Sequence, residues 1–281
     1  MQKLALPLLI ASLALAACGQ SNNTGNQAAS AAQAAMPTAV TGSVSLKVPA
    51  PVGAEAQLKL ALVNVSLKPP VTVAQSTTSP GALPAQFQLP FEPGKIDKNA
   101  LYVLNVELID GERRYVAPRE YPVITKGSPA KVDVVMTPEP TASEKLESEY
   151  ASLERAIGGM KRSQGASEDE TSTTAWDGFF DNKSTLRYIR EVIDYGDKGR
   201  SNFYYAYRDG KPMAVIQERV PAMAEKPNAV TRAGWNETGA LVLKTKKDGG
   251  TVSVLADAEA KTLYDRAVSK YDAVSKRPPA K

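Results

Sequence analysis

The chain has 281 residues, with 34 Lys and Arg against 30 Asp and Glu, no histidine and a single cysteine. A net charge of +4 is too small to argue for a nucleic-acid partner. Without histidine there is no Ser-His-Asp or Cys-His catalytic arrangement and none of the usual zinc ligand sets, and one cysteine cannot close an internal disulfide. No cofactor, metal or catalytic residue is expected, stability must come from packing, and the length suffices for one large or two modest domains.

Residues 1–17 carry one cation, Lys3, and then an apolar run from Leu4 to Ala17 broken only by Pro7 and Ser12. This is the pattern of a secretory signal, since crossing roughly 30 Å of hydrocarbon as a helix takes about 20 apolar residues. The run ends in Leu15-Ala16-Ala17-Cys18, which resembles the bacterial lipobox. The resemblance implies cleavage before Cys18, a diacylglycerol on its thiol and acylation of the freed amine. At about 0.8 kcal/mol per buried methylene, two or three chains exceed the single chain that binds a membrane only reversibly. Gly19 in place of an acidic residue resembles lipoproteins forwarded to the outer membrane, so the expected location is its periplasmic face, with membrane lipid as a partner through acylated Cys18.

The rest of residues 18–40 is Asn, Gln, Ser, Thr, Gly and Ala with hardly a large apolar side chain, and reads as a flexible tether. About 22 such residues would have a root-mean-square span of roughly 26 Å. From 41 to 137 the pattern becomes short period-two runs: Val44, Leu46 and Val48; Leu58, Leu60 and Leu62 into Val63 and Val65; Val71 and Val73; Phe87, Leu89 and Phe91; Tyr102, Leu104, Val106 and Leu108; Tyr115 to Val123; and Val132, Val134 and Met136. Asp110-Gly111 suits a tight hairpin turn. About seven strands in an antiparallel β-sandwich are expected.

Within this span Val63-Asn64-Val65-Ser66, the stretch Pro84, Phe87, Leu89, Phe91, Pro93, Ile96 and Asp97, the hairpin Ile109-Asp110-Gly111, and Tyr121-Pro122-Val123-Ile124-Thr125-Lys126-Gly127 with Val132-Asp133-Val134 resemble the YbaY/YscW-like lipoproteins. The best-described members are pilotins, small lipoproteins that assist secretin rings of type III secretion. The resemblance implies a β-sandwich and a secretin or other envelope protein as partner. Asn64 and Leu67-Lys68-Pro69 depart from the acidic loop of the family.

Residues 138–174 read as a helix and a linker. Pro138-Glu139-Pro140 ends the sandwich, and Thr141 with Glu144 makes a capping box. Leu146, Tyr150, Leu153, Ile157 and Met160 then form one helical stripe, and Lys161 to Thr174 is polar and reads as an exposed loop. Residues 175–281 form an α+β domain with internal repetition: Phe180-Asp181-Asn182-Lys183 before Leu186, Ile189 and Glu191 is echoed by Tyr207-Arg208-Asp209-Gly210-Lys211 before Met213, Ile216 and Glu218, and more loosely by Trp235 to Gly239 before Leu241 and Leu243. Starts 27 and 28 positions apart predict an antiparallel meander of hairpins. A closing helix from Asp257, its expected cap, to Val274 carries Leu263, Tyr264, Ala267, Val268, Tyr271 and Val274 toward the meander.

Ser128-Pro129-Ala130-Lys131 has Ser-x-x-Lys spacing but lies between strands, where the two side chains diverge, and reads as a turn. Asp177, Asp181, Asn182, Asp194 and Asp197 lack the ligand alternation of a calcium loop and read as turn residues. Lys270, Lys276, Arg277 and Lys281 read as a solvated basic tail. In Phe203-Tyr204-Tyr205-Ala206-Tyr207 rings fall on both faces of one strand, making Tyr204, with Trp235, the candidate ligand- or partner-binding aromatics. The expected function is a non-catalytic, outer-membrane-anchored binding or assembly factor of the envelope. A second reading is a ligand-binding or hydrolase-inhibitor lipoprotein that uses the aromatic face of the second domain.

Overall fold

The computed structural model describes residues 36–279, so the expected leader, Cys18 and all but the last residues of the expected tether lie outside the described residues. From residue 37 onward the chain forms one compact unit containing two sheets.

The first sheet comprises β1 (Ala39–Leu46), β2 (Gln57–Asn64), β3 (Val71–Thr78), β4 (Ala85–Pro90), β5 (Tyr102–Asp110), β6 (Arg113–Val116), β7 (Pro122–Val123) and β8 (Lys131–Pro138). Its path runs β3-β2-β5-β6-β8-β1-β4, with β7 against β5. The expected Tyr115–Val123 strand is divided into β6 and β7, because Pro118 between them has no N–H to give a ladder. β1 begins at Ala39, inside the span expected to be tether, and its pairing with β8 is parallel where all the others are antiparallel. β6 meets β8 over only two residue pairs, Tyr115 with Pro138 and Val116 with Thr137. The alternation of β1 and β2 sends Val44 and Leu46, and Leu58, Leu60 and Leu62, into the interior with Leu104 and Leu108 of β5 and Val134 and Met136 of β8.

Helix α1 (Ala142–Ala156) starts with the expected capping box, Thr141 Oγ1 accepting from the Glu144 N–H while the Glu144 carboxylate accepts from the Thr141 N–H. The same carboxylate takes a two-pronged hydrogen bond from Arg113 at 2.6 and 2.7 Å, which ties the start of α1 to β6. That contact and the capping bonds hold the Glu144 carboxyl down at about 2.

The second sheet is a strict meander, β9 (Lys161–Glu168), β10 (Thr173–Phe180), β11 (Leu186–Asp194), β12 (Arg200–Arg208), β13 (Lys211–Val220), β14 (Ala229–Trp235), β15 (Leu241–Asp248) and β16 (Thr251–Val254), each strand paired with the next. Lys161 to Glu168 is thus a strand where a loop was expected. It is an edge strand with little covering either face, so its pairing with β10 leaves no apolar alternation in the sequence. Its Gly165 gives room for the Trp176 ring, which a Cβ there would strike.

The repeat has a physical meaning. Register shifts fall between Phe179 and Phe180, Ala206 and Tyr207, and Gly234 and Trp235, so each hairpin has a bulge opposite its aromatic residue, the extra residue being Arg187, Met213 or Val242 of the second strand. All three aromatics enter the core beneath helix α2 (Asp257–Ser275). Tyr264 meets Trp235 edge-on at 4.9 Å, and Tyr271 meets Tyr207 at 4.9 Å. Seven helical residues advance about 10.5 Å, and two strand spacings come to about 9.6 Å, so the helix crosses the strands in step with the repeat. The N-cap of α2 is Ala256 with no side-chain cap. Asp257, the expected cap, is the first helical residue and pairs with Lys244 of β15.

On the opposite face α1 also crosses the strands, over a row formed by Phe179, Tyr188, Ala206, Ala214, Gly234 and Leu243, which are direct cross-strand neighbours. The small residues in mid-row form a shallow seat for Leu146, Leu153 and Ile157. Leu146 lies where a Cβ on Gly234 would be, with the Leu243 Cβ at 3.2 Å on the other side. Gly234→Val is therefore expected to lose about 1–3 kcal/mol of stability through overpacking, read from the midpoint of urea unfolding. An unchanged midpoint would mean that α1 is not seated there.

Candidate partner-binding surfaces

In the first sheet β3 is an end strand. Its sequence, VTVAQSTT, has no charge and no proline, and none of its residues is buried. Of the usual devices that stop an edge from pairing with another chain, charge and proline are absent, and a bulge at Val73 is present. Beside it a groove of about 630 Å³ crosses the outer face. Its floor is set by strand register: Thr77 lies beside Lys59 and Lys59 beside Glu107, and Gln75 lies beside Ala61 and Ala61 beside Asn105. Pro118 to Glu120 form its far wall, where the Arg119 guanidinium stacks over the Tyr121 ring at 5.0 Å.

Several residues that carry the family resemblance act as fasteners at the loop end of this sheet. The Asn64 amide donates toward the Tyr102 hydroxyl (3.4 Å), and its carbonyl accepts from the Ser66 N–H (3.0 Å). Tyr102 Oη also accepts from the Asp97 N–H, Ser66 Oγ accepts from the Leu101 N–H, and Thr125 Oγ1 donates to the Ala100 carbonyl. The Asn64–Tyr102 and Thr125–Ala100 bonds are buried, where an unpaired polar group would be costly, and the others tie the turns at the surface.

In the second sheet the two candidate aromatics separate. Trp235 is buried in the core beneath α2, two residues on from Ala233 on the same face, so it does not contribute to an exposed aromatic face. Tyr204 is on the α1 side, half-buried, with its hydroxyl donating to Glu218 at 3.1 Å. Burial and the neighbouring Glu218 carboxylate raise its pKa. It forms the floor of two adjoining clefts.

The most unusual residue of the second sheet is Glu191, whose side chain is fully buried beneath α2. It accepts from Tyr205 Oη at 2.6 Å and from Arg266 at 2.8 Å, and its other oxygen pairs with Lys270 Nζ. Arg266 also donates to Tyr205 Oη and stacks over Phe203 at 4.2 Å. Burial alone would raise the Glu191 carboxyl, but the hydrogen bonds from Lys270 and Tyr205 and the charge of Arg266 outweigh it, and the net shift is downward. The sequence carried a signal for this: Glu191 lies at an inward position of the alternation Ile189, Glu191, Ile193. Its echo Glu218 lies on the other face, because five residues turn the first hairpin and two turn the second.

The remaining chemical candidates sit in or beside turns, except Asp177, which was expected in a turn and lies inside strand β10 between Gln164 and Arg190. Ser128 donates its N–H to the Thr125 carbonyl while Lys131 opens β8, and no helix brings the two side chains together. Asp181 and Asp194 accept from backbone N–H groups of their own turns, and Asp177 pairs with Arg162 at 2.6 Å. No group of potential metal ligands occurs among the described residues.

Residues 35–136 match the family model described as type III secretion system lipoprotein chaperone (YscW). The match covers the first sheet almost from end to end and stops before α1. Among solved structures, an alternative pilotin from the type II secretion system of Vibrio cholerae is 23% identical over 36% of this chain and 96% of its own, with a TM-score of 0.34. A 9R-lipoxygenase from Cyanothece PCC8801 is 10% identical over 85% of this chain and 45% of its own, with a TM-score of 0.23. TM-scores this low carry no statement about activity. No curated protein matches the chain.

The Glu191 cluster yields an asymmetric expectation. Replacing both cations, Arg266→Met with Lys270→Met, leaves a buried carboxylate unpaired and should cost about 3–5 kcal/mol. Glu191→Gln should cost less, because Arg266 and Lys270 are 37% and 20% exposed and keep some water. A lowered pKa stabilises the fold above the ordinary carboxyl value of 4.5, and this contribution is lost as pH falls through the folded value. The stability gap between wild type and Glu191→Gln should accordingly narrow from pH 7 to pH 3 in denaturant titrations; a gap independent of pH would contradict the assignment.

Proposed function

We propose that this chain is a lipid-anchored, non-catalytic envelope protein that helps to assemble a secretion-system component, holding an extended segment of a secretin or another envelope protein along the free edge of β3. The reading is carried by the match of residues 35–136 to the YscW lipoprotein chaperone family, and it is supported by the uncharged, proline-free edge of β3 beside an open groove. Strand addition supplies affinity through main-chain hydrogen bonds and specificity through pockets for alternate side chains. The added side chains that share the face of Gln75 and Thr77 would extend the groove floor. Acylated Cys18 would keep the complex on the periplasmic face of the outer membrane, with the residues between it and β1 as a tether.

Two experiments test this. A photo-crosslinking amino acid at Thr72 should capture a secretin or other envelope-assembly subunit in cells. The product should disappear in Gln75→Lys/Thr77→Lys, which places charge on the edge while leaving the melting temperature unchanged; a crosslink that survives this double change would refute edge pairing. Mass spectrometry of the exported protein should give an N-terminal, acylated Cys18. An unmodified Cys18, or residues 1–17 still attached, would remove the anchor from the account.

A further inference from the structure

The α1 side of the second sheet is only half covered. Helix α1 rests on the row that contains Ala206, Ala214 and Gly234, and the next row along the same strands, Asp177, Arg190, Tyr204, Ile216, Arg232 and Thr245 in cross-strand sequence, has no helix above it. Two clefts of about 570 and 600 Å³ lie over this row and meet at Tyr204. One wall of the first is the flank of α1, where Glu147, Tyr150, Ala151 and Glu154 recur at helical spacing, and its floor includes Tyr204, Ile216 and Glu218.

Charge decides what fits. Glu147, Glu154 and Glu218 form no ion pair with any described residue. Glu154 accepts only from Tyr188, and Glu218 accepts from Tyr204 and Asn202, so both are held in place by neutral donors. Arg232 is the one cation lining that cleft, and the adjoining one is lined by Arg190 and by Arg162, the latter paired with Asp177. Packed helices lie about 8–10 Å apart, and rows on one face of a strand are about 6.8 Å apart, so a helix beside α1 would lie between the first and second uncovered rows.

We propose that this trough is the seat of an amphipathic helical segment of a partner protein, lying alongside α1 with its apolar side on Tyr204, Ile216 and Ala151 and with lysine or arginine side chains set against Glu147, Glu154 and Glu218. The site is separate from the β3 edge and does not rest on the function proposed for that edge. The small residues that seat α1 are absent from the second row, so the new helix stands higher over the sheet and is held by its flank charges as much as by its apolar contact.

The test uses the full chain in detergent micelles and two fluorescent 16-residue helical peptides with the same alanine and leucine face, one bearing four lysines along the flank and the other four glutamates. The lysine peptide should bind, at least tenfold more tightly than the glutamate peptide by fluorescence anisotropy. Its affinity should fall at least tenfold in Glu147→Gln/Glu154→Gln/Glu218→Gln, whose amides keep the Tyr188 and Tyr204 hydrogen bonds, and should also fall in Ala151→Trp, which fills the trough without changing charge. Gln75→Lys/Thr77→Lys should leave it unchanged. Equal binding of the two peptides, no binding of either, or full binding to Ala151→Trp would overturn the proposal, the last by reducing it to general attraction toward an acidic surface.

Discussion

The arrangement of the second sheet depends on one match of lengths. Two helices cross the strands of a meander, and a helix that crosses a sheet can make repeated contacts only where its pitch agrees with the strand spacing. On the α2 side the agreement is made by large residues: Trp235 and Tyr207 are two strands apart and meet Tyr264 and Tyr271, seven residues apart. On the α1 side it is made by small ones, Ala206, Ala214 and Gly234, which let Leu146 approach the backbone. Ordinary alternation along each first strand carries the aromatic residue to the α2 face, while the bulge opposite it shifts the register of the second strand by one residue.

Much of this was legible in the sequence because it obeys short-range rules. The capping box at Thr141 and Glu144, the alternation of Leu58, Leu60 and Leu62, the turn at Asp110-Gly111 and the 27–28-residue echo are each set by neighbours along the chain. What was not legible depends on the other side of a contact. Lys161 to Glu168 has no periodicity because an edge strand with both faces open needs none. Trp235 resembled Tyr204 as an aromatic on a strand, yet cross-strand register puts Tyr204 level with Ile216 and Arg232, and the odd step from Arg232 to Trp235 puts the two rings on opposite faces. The resemblance of residues 41 to 137 identified the fold, and residues such as Asn64 and Thr125 that carried it proved to hold loops together. The parallel pairing of β1 with β8 joins segments about ninety residues apart, beyond the reach of any local pattern.

The polar interior follows the same logic. Glu191 is a charge in a core, stabilising only because Tyr205, Arg266 and Lys270 converge on it from a strand and from α2. Its pairing with Arg266 and Lys270 adds to the aromatic contacts that hold α2 on the sheet. The platform so held presents its uncovered row on the other face, while the first sheet presents the edge of β3. The two proposed sites are chemically unlike, one a neutral strand edge suited to an extended chain and the other an acidic-walled trough suited to a basic helix.

The central claim is that α2 and the meander are one cooperative structure, locked in step by the aromatic repeat and by Glu191. Native-state amide hydrogen exchange along the whole chain tests it most directly. Amides of α2 from Leu263 to Tyr271 should share a single opening free energy with those of β11 to β13, since neither can open alone without exposing Tyr207 and Glu191. If the α2 amides exchange through a separate, much lower-energy opening while the strands stay protected, the helix is merely laid on the sheet and the account of the lock is wrong.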